Sequence, residues 1–582
     1  MEDPRLSADH DLEQARAALD RGEMHHAADH LAGAIAHAPT LPETHELLSR
    51  LAARADGGLE LFPVGQHAFV GTVVARAHLL AAAGRPEDGL PLLAAASGHT
   101  PGMDWAGVPW VSEPSLGARM DPDMLARMVM RLCTAIGDPA PEAGREALQP
   151  YLTVVRHAVA AHPAHHLLLG AGSALARRVG DAAIAVDWAT RGVRVRPSKL
   201  GEIWLGYAYR SAGRLPEALD ALRRAVTHDP DDLSVYADIA GTLAAQGLLD
   251  EALEWIDRAL ARDPDFDCAV HTGHRLRFRS DGDVEHLVRL ADFQRYHPDD
   301  THEHTDLAEC CQDVPWLGRV PSAPDASPDP RRRFPVASRP PAPRPSVAYP
   351  TVARAAVARP SAAAVQRLQR VAHPVWPHPP AAYDAAVGLL LVEPQELLGL
   401  LAHPPATPDT EVGRALAAHD PARWTRCVYV WACLGLLHHG ADEPWSGSRR
   451  RRLLVELAAG GTDAITEAAL FALVTYAWVE PAARADVADV VARALADVVT
   501  TASAQSADIA WSVAQLALAT PGLAPQAREL AAAVIRADEE GSTTATIPRQ
   551  RSRRPGRRLL PHPLLGGRLW GWLTGRVTRS RR

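Results

Sequence analysis

Cysteine is scarce: six residues in a chain of 582, at positions 133, 268, 310, 311, 427 and 433, with no CxxC pair among them. That excludes a disulfide framework and a zinc ribbon and suits a reducing compartment. Aromatic residues make up only 5% of the chain, and lysine is all but missing, with Lys199 alone among 61 basic residues. A skew of that kind belongs to a GC-rich, bacterial genome and carries no functional information. Long apolar runs are missing too. The longest, Ala468 to Val479, has 12 uncharged residues, short of the roughly 18 that a membrane-crossing helix needs. The opening Met1-Glu2-Asp3-Pro4-Arg5 is polar with no apolar stretch behind it, so the expectation is a chain without a secretory signal, located in the cytoplasm.

Catalytic signatures are equally absent. There is no GxxxxGK(S/T) phosphate loop, no HExxH, no GxSxG elbow and no GxGxxG after a strand, which disfavours a nucleotide-driven switch and the common hydrolases. His302, His304, Cys310 and Cys311 are four borderline ligands within ten residues. Vicinal Cys side chains diverge and serve one tetrahedral ion poorly, so with Asp300, Glu303, Asp306 and Glu309 beside them they read as a polar capping segment. Cys427 and Cys433, among Trp424, Tyr429 and Trp431, read as core packing. No metal, cofactor or small-molecule substrate is expected, and the chain is read as no enzyme.

What is present is a segregation of charge and a repeat. The net charge is −8, yet the last 34 residues, from Arg549, carry 11 Arg and no acid, and residues 331–370 carry 9 Arg and no acid. Two basic segments are attached to an acidic body and are suited to acidic surfaces. In the N-terminal half, prolines recur at Pro163, Pro197, Pro230, Pro264 and Pro298, spaced 34, 33, 34 and 34. Between them Gly213-Arg214-Leu215-Pro216-Glu217-Ala218-Leu219 returns as Gly247-Leu248-Leu249-Asp250-Glu251-Ala252-Leu253, followed by Ala225 and Ala259 and then Asp229-Pro230 and Asp263-Pro264. Gly closes a first helix at positive φ, Ala lets two helix backbones approach, and Pro stops the second helix.

This grammar resembles the tetratricopeptide repeat family, whose pattern is met at Leu205-Gly206, Tyr209, Gly213, Ala218, Leu222, Ala225 and Pro230. Looser units fit residues 166–197 and 267–298, the latter with His286 in the Ala position, and, further upstream, Gly22, Ala27, Leu31, Ala34 and Pro39, then Gly84, Gly89, Leu93, Ala96 and Pro101. Residues 103–150 interrupt the register. The resemblance implies an all-α superhelix over residues 1–318 whose first helices line a concave groove, and a scaffold or adaptor that holds a partner peptide there. Counting from each close-packing Ala puts Arg177 and Arg210 at one groove-facing position, with Ala244 and Phe278 next in register. Leu167, Leu200, Ile203 and Tyr207 join the same surface, and His271 and Arg275 lie one to two turns before Phe278. Three Arg beside apolar side chains fit an acidic or mixed acidic and apolar peptide. The same Arg serve equally well as ion-pair partners of neighbouring helices. The Lys and Asn clamp with which family members hold chaperone tails is replaced by Ile203, Tyr207, Ala237 and Gly241, which speaks against that role.

From Pro315 to Pro380 there are 16 prolines, and residues 319–381 read as an exposed linker. Apolar stripes at 384–402, 423–438, 452–459, 464–478, 484–499, 505–519 and 525–536 predict a second helical domain over 382–537, a bundle or a stack of helical pairs. An alternative places a regulatory or enzymatic activity there, with the helix 424–438 and Asp442-Glu443-Pro444-Trp445 lining a pocket. Residues 538–582 read as a basic, disordered tail. Its Gly567, Gly571 and Gly575, with Arg568, Trp570, Trp572 and Arg576, suit peripheral contact with anionic lipid or a helical partner, or only keep the chain solvated; nucleic acid is not expected.

Overall fold

The computed structural model describes residues 4–65, 67–296, 301–321, 357–460, 463–504 and 509–543. Helices and their connecting turns account for them; among the described residues only two isolated bridges, Pro315 to Arg319 and Arg319 to Val375, have β character. The chain divides into two compact units, Met1–Ala269 and Val270–Arg557.

The first unit contains α1 (Pro4–Arg21), α2 (Met24–His37), α3 (Pro42–Arg54), α4 (Val70–Ala82), α5 (Pro86–His99), α6 (Pro114–Arg119), α7 (Pro122–Ala135) and α8 (Glu142–Ala161). Three helical pairs follow: α9 (His166–Val179) with α10 (Ala182–Val195), α11 (Lys199–Ser211) with α12 (Leu215–His228), and α13 (Leu233–Ala245) with α14 (Leu249–Arg262). The division between the units falls within α15 (Asp267–Asp281). Side-chain caps start several of these helices. Asp181, Ser198 and Asp232 accept from the backbone N–H of Ile184, Gly201 and Ser234, satisfying donors that the helix itself leaves orphaned. Gly213 and Gly247, with φ of +72° and +84°, make the turn from first to second helix, a conformation a side chain resists.

Ala218 and Ala252 are fully buried, as the close approach of each pair demands. The tightest approach is between first helices: a Cβ on Gly170 would stand 1.8 Å from the Trp204 ring, so α9 and α11 touch by setting an indole against bare backbone. Upstream, a Cβ on Gly89 would stand 2.6 Å from the Ala77 carbonyl oxygen. Glycine replaces the expected alanine there because α4 and α5 lie closer still. Through the interruption at 103–150, α6 to α8 keep one apolar core with Trp105 and Tyr151 buried in it.

In the second unit are α16 (Val284–Tyr296), α17 (Thr301–Cys311), α18 (Ala362–Val371), α19 (Pro379–Ala385), α20 (Pro394–Ala402), α21 (Glu411–His419) and α22 (Pro421–His438). They are followed by α23 (Arg449–Ala459), α24 (Ala464–Val479), α25 (Arg484–Ala504), α26 (Ala510–Leu518) and α27 (Pro525–Thr543). α22 and α24 are buried along nearly their whole length, as helices apolar on every face must be. Cys427 and Cys433 are core residues, and burial pushes both thiols up.

Two boundaries differ from the sequence reading. Val284, Leu287, Leu307, Trp316 and Val320 belong to the core of the second unit, so the division lies at 269/270 and not at 318. Residues 357–381, read as linker, contain α18, which Ser361 caps and which buries Ala364 and Leu368 one turn apart; Trp376 is buried as well. Proline density outweighed a short apolar stripe there. Residues 322–356 of the expected linker lie outside the described residues. The stripe at 384–402 is two helices because a 3-10 turn at Ala386–Leu389 and Pro394 break it. α21 was not anticipated.

Candidate partner-binding groove

A polar chain runs across the first helices of the three regular repeats. Arg177 of α9 forms an ion pair with Asp138, which also receives Arg178 at 3.5 Å. The Arg177 guanidinium lies over the Tyr207 ring of α11 at 5.1 Å, and Arg210, one turn further along α11, lies over the same ring at 4.9 Å. The Tyr207 hydroxyl donates to Asp238 Oδ2 of α13 at 2.6 Å. Three consecutive first helices and the segment before α8 are thus joined through carboxylate, guanidinium, phenol and carboxylate.

The charges in this chain are not equally satisfied. Arg177 is 8% exposed and Asp238 is fully buried. Asp238 Oδ1 is buried without a hydrogen-bond partner, as is Arg177 Nε. Burial, opposed by Arg210, Tyr207 and Arg177, pushes the Asp238 carboxyl up to about 7. Burial and the neighbouring Asp238 carboxylate push the Tyr207 hydroxyl well up, so it remains a donor. Arg210 is partly exposed, and among the described residues no carboxylate lies within ion-pair distance of it.

The structure brings Arg177, Tyr207 and Arg210 together and buries Leu200 and Ile203 beside them, with Leu167 partly buried. It removes Arg177 from the free cations: Asp138 supplies its counter-charge, because the segment after α7 folds onto α9. The His271, Arg275 and Phe278 group lies in the second unit. There Asp306 Oδ2 meets His271 Nδ1 at 2.7 Å, and Asp306 Oδ1 accepts from Arg275 at 3.0 Å. Phe278 packs against that unit's apolar core. Of the three Arg singled out, two are therefore committed to ion pairs within their own units. Asp238, the residue at the centre, was not singled out. Its signal was available: it is the one charged residue of α13, set in Leu-Ser-Val-Tyr-Ala-Asp-Ile-Ala-Gly-Thr-Leu-Ala-Ala.

In the second unit, the aromatic residues considered as a pocket lining are packed and bonded. The Trp424 and Trp431 indoles donate to the carbonyls of Pro405 and His373 at 2.9 Å each, and the Trp445 indole donates to Asp486 at 2.9 Å. Burial pushes the Cys310 thiol up to about 12. Among the described residues no group of three or more His, Cys, Asp or Glu is placed to hold a metal ion. The side chains of His302 and His304, and Arg568, Trp570, Trp572 and Arg576 of the tail, lie outside the described residues.

Residues 209–272 match the family model of the tetratricopeptide repeat. Among solved structures, residues 41 to the end of MamA from Desulfovibrio magneticus RS-1 are 17% identical, covering 34% of this chain and 97% of that one with a TM-score of 0.22. A tetratricopeptide repeat protein from Parabacteroides merdae is 11% identical, covering 52% and 97% with a TM-score of 0.27. YrrB, described as a TPR protein with an unusual peptide-binding site, is 15% identical, covering 39% and 97% with a TM-score of 0.22. No curated protein matches the sequence.

Proposed function

We propose that this tetratricopeptide repeat chain is a non-catalytic scaffold, or adaptor, that holds a partner peptide on the inner face of its first helices. The observation that carries the reading is Arg210: a partly exposed guanidinium backed by the Tyr207 ring, with no carboxylate within ion-pair distance of it among the described residues. Such a group offers a planar pair of donors to a carboxylate, and the half-buried Leu167 of the same expected surface offers apolar area to flanking residues. A partner segment of mixed acidic and apolar character complements it. The other inner-face cations, Arg177 and Arg275, act structurally and hold neighbouring segments in register.

The alternative activity in the second unit has less to stand on, since its Trp residues are spent on packing and backbone carbonyls. Panning a displayed random-peptide library against the full chain tests the scaffold reading. Enrichment of acidic and apolar sequences, lost in Arg210→Ala with helicity intact, is expected. Enrichment indifferent to Arg210 would move the binding surface elsewhere.

A further inference from the structure

The groove reading leaves open what sets the charge that a partner meets. Arg177 and Arg178 share Asp138. Lys199, at the start of α11, pairs with Asp229 at 2.7 Å and with Asp232 at 2.9 Å. What remains around the Tyr207 ring is Arg210 and the Asp238 carboxyl. Asp238 cannot close a full ion pair with either arginine, because both guanidinium groups face the ring and Tyr207 alone donates to its side chain. Its second oxygen is buried and unpartnered, so the ionised form is held by the Tyr207 hydrogen bond alone and burial disfavours it.

We propose that Asp238 is a charge gate for the groove: protonated, it leaves Arg210 as an uncompensated cation that takes an acidic partner, and ionised, it partly offsets that cation's field and weakens the partner's hold. The inference rests on the groove reading and deepens it by stating when the site is open. The groups acting on Asp238 are Arg210 and Tyr207 of α11, Arg177 of α9 and Asp232 at the start of its own helix. Of these, Tyr207 stays protonated, its hydroxyl pushed well up by burial, and guanidinium groups do not lose their proton in proteins. Asp232 is held by Lys199. Asp238 is therefore the group whose state changes, and its carboxyl sits near 7. A bound carboxylate on Arg210 raises the proton affinity of Asp238 further. By linkage, a rise of one pKa unit on binding makes affinity roughly tenfold tighter below the transition than above it.

The test uses the full chain and a fluorescent peptide of alternating Glu and Leu, titrated from pH 6 to pH 8, where the peptide's own carboxylates stay ionised. With the carboxyl near 7 in the free chain and one unit higher in the complex, wild type is expected to bind roughly fivefold tighter at pH 6 than at pH 8. Asp238→Asn, which keeps an acceptor for Tyr207 and is permanently neutral, is expected to bind tightly across the range without the pH dependence. Arg210→Ala is expected to lose binding at every pH, with circular dichroism checking that both variants are folded. Binding to wild type that is equal at pH 6 and pH 8, or a pH dependence that survives in Asp238→Asn, would overturn the gate and leave the groove standing. A peptide that binds neither wild type nor Asp238→Asn at any pH would overturn the groove reading and the gate with it.

Discussion

Asp238 of the first unit and Glu467 of the second are both fully buried, and both meet arginine, but to different ends. Arg426 reaches the two oxygens of Glu467 at 2.8 and 2.7 Å. Glu467 is further held by Ser512, whose hydroxyl in turn accepts from the Trp316 indole at 2.8 Å. Around Asp238 the arginines turn to the Tyr207 ring and one carboxylate oxygen is left bare. A buried carboxylate completed by its own neighbours fixes helices in place. Burial pushes both carboxyls up, but the one left incomplete is also open to what approaches from outside. Burying charge is expensive in either case, so a buried pair is weak evidence for stability in itself.

The comparison breaks most visibly at Arg426. Arg426→Ala leaves Glu467 buried without its counter-charge and should cost about 3–5 kcal/mol, read as a lowered unfolding midpoint of the second unit. Replacing Arg426 and Glu467 together by Met should recover most of that loss, because the desolvation of both charges disappears. A single variant as stable as wild type would mean that the pair is not the anchor of α22 and α24.

Asp238 should show the opposite behaviour. Its folded value, about 7, lies above the ordinary Asp value of 3.8, so the native state keeps a proton that the unfolded chain has released. The stabilising contribution is full below about pH 4 and is lost as pH rises through 7. Relative to Asp238→Asn, wild type should lose up to about 4 kcal/mol over that interval, leaving the Asn variant the more stable protein at pH 8. Parallel pH profiles of denaturant midpoints for the two proteins would show that Asp238 does not titrate there.

Packing in the regular repeats gives a smaller effect. Ala252 is fully buried, so Ala252→Leu should overpack the pair α13 and α14 and cost about 1–3 kcal/mol. An unchanged midpoint in thermal unfolding would place the close approach elsewhere.

The repeats were legible because their rules are local: a positive-φ glycine, a small residue at the crossing and a proline stop recur in fixed order at Gly213, Ala218 and Pro230. Helices of the second unit were legible from apolar stripes for the same reason. What was not legible depends on contacts distant in sequence. That residues 284–291 and 307–320 complete the second unit's core follows from Trp316 and Leu307 finding partners there, and proline counting between Pro315 and Pro380 concealed α18. In the groove, register placed Arg177, Tyr207 and Arg210 on one surface. Register says nothing of counter-charges, and Asp138, 39 positions before Arg177 in a segment outside the repeat grammar, is visible only once the chain is folded.

The two arginines on Tyr207 carry the comparison to its finest point. Arg177 and Arg210 lie at similar distances from one ring, 5.1 and 4.9 Å, yet only Arg177 is buried and ion-paired. An exposed cation over an aromatic ring contributes about 0.5–1 kcal/mol, so Arg210→Ala should lower stability by no more than that. Arg177→Ala removes the same stacking and also strips Asp138 of one of its two donors, and should cost about 1–3 kcal/mol. Removing Arg177, Arg210 and Arg275 together is therefore no clean probe of binding, since two of the three hold the fold; Arg210 alone is. Equal losses of midpoint in Arg177→Ala and Arg210→Ala, measured at one pH below 6 so that Asp238 is protonated in both, would show that Arg210 is as structural as Arg177 and that the groove has no spare cation to offer.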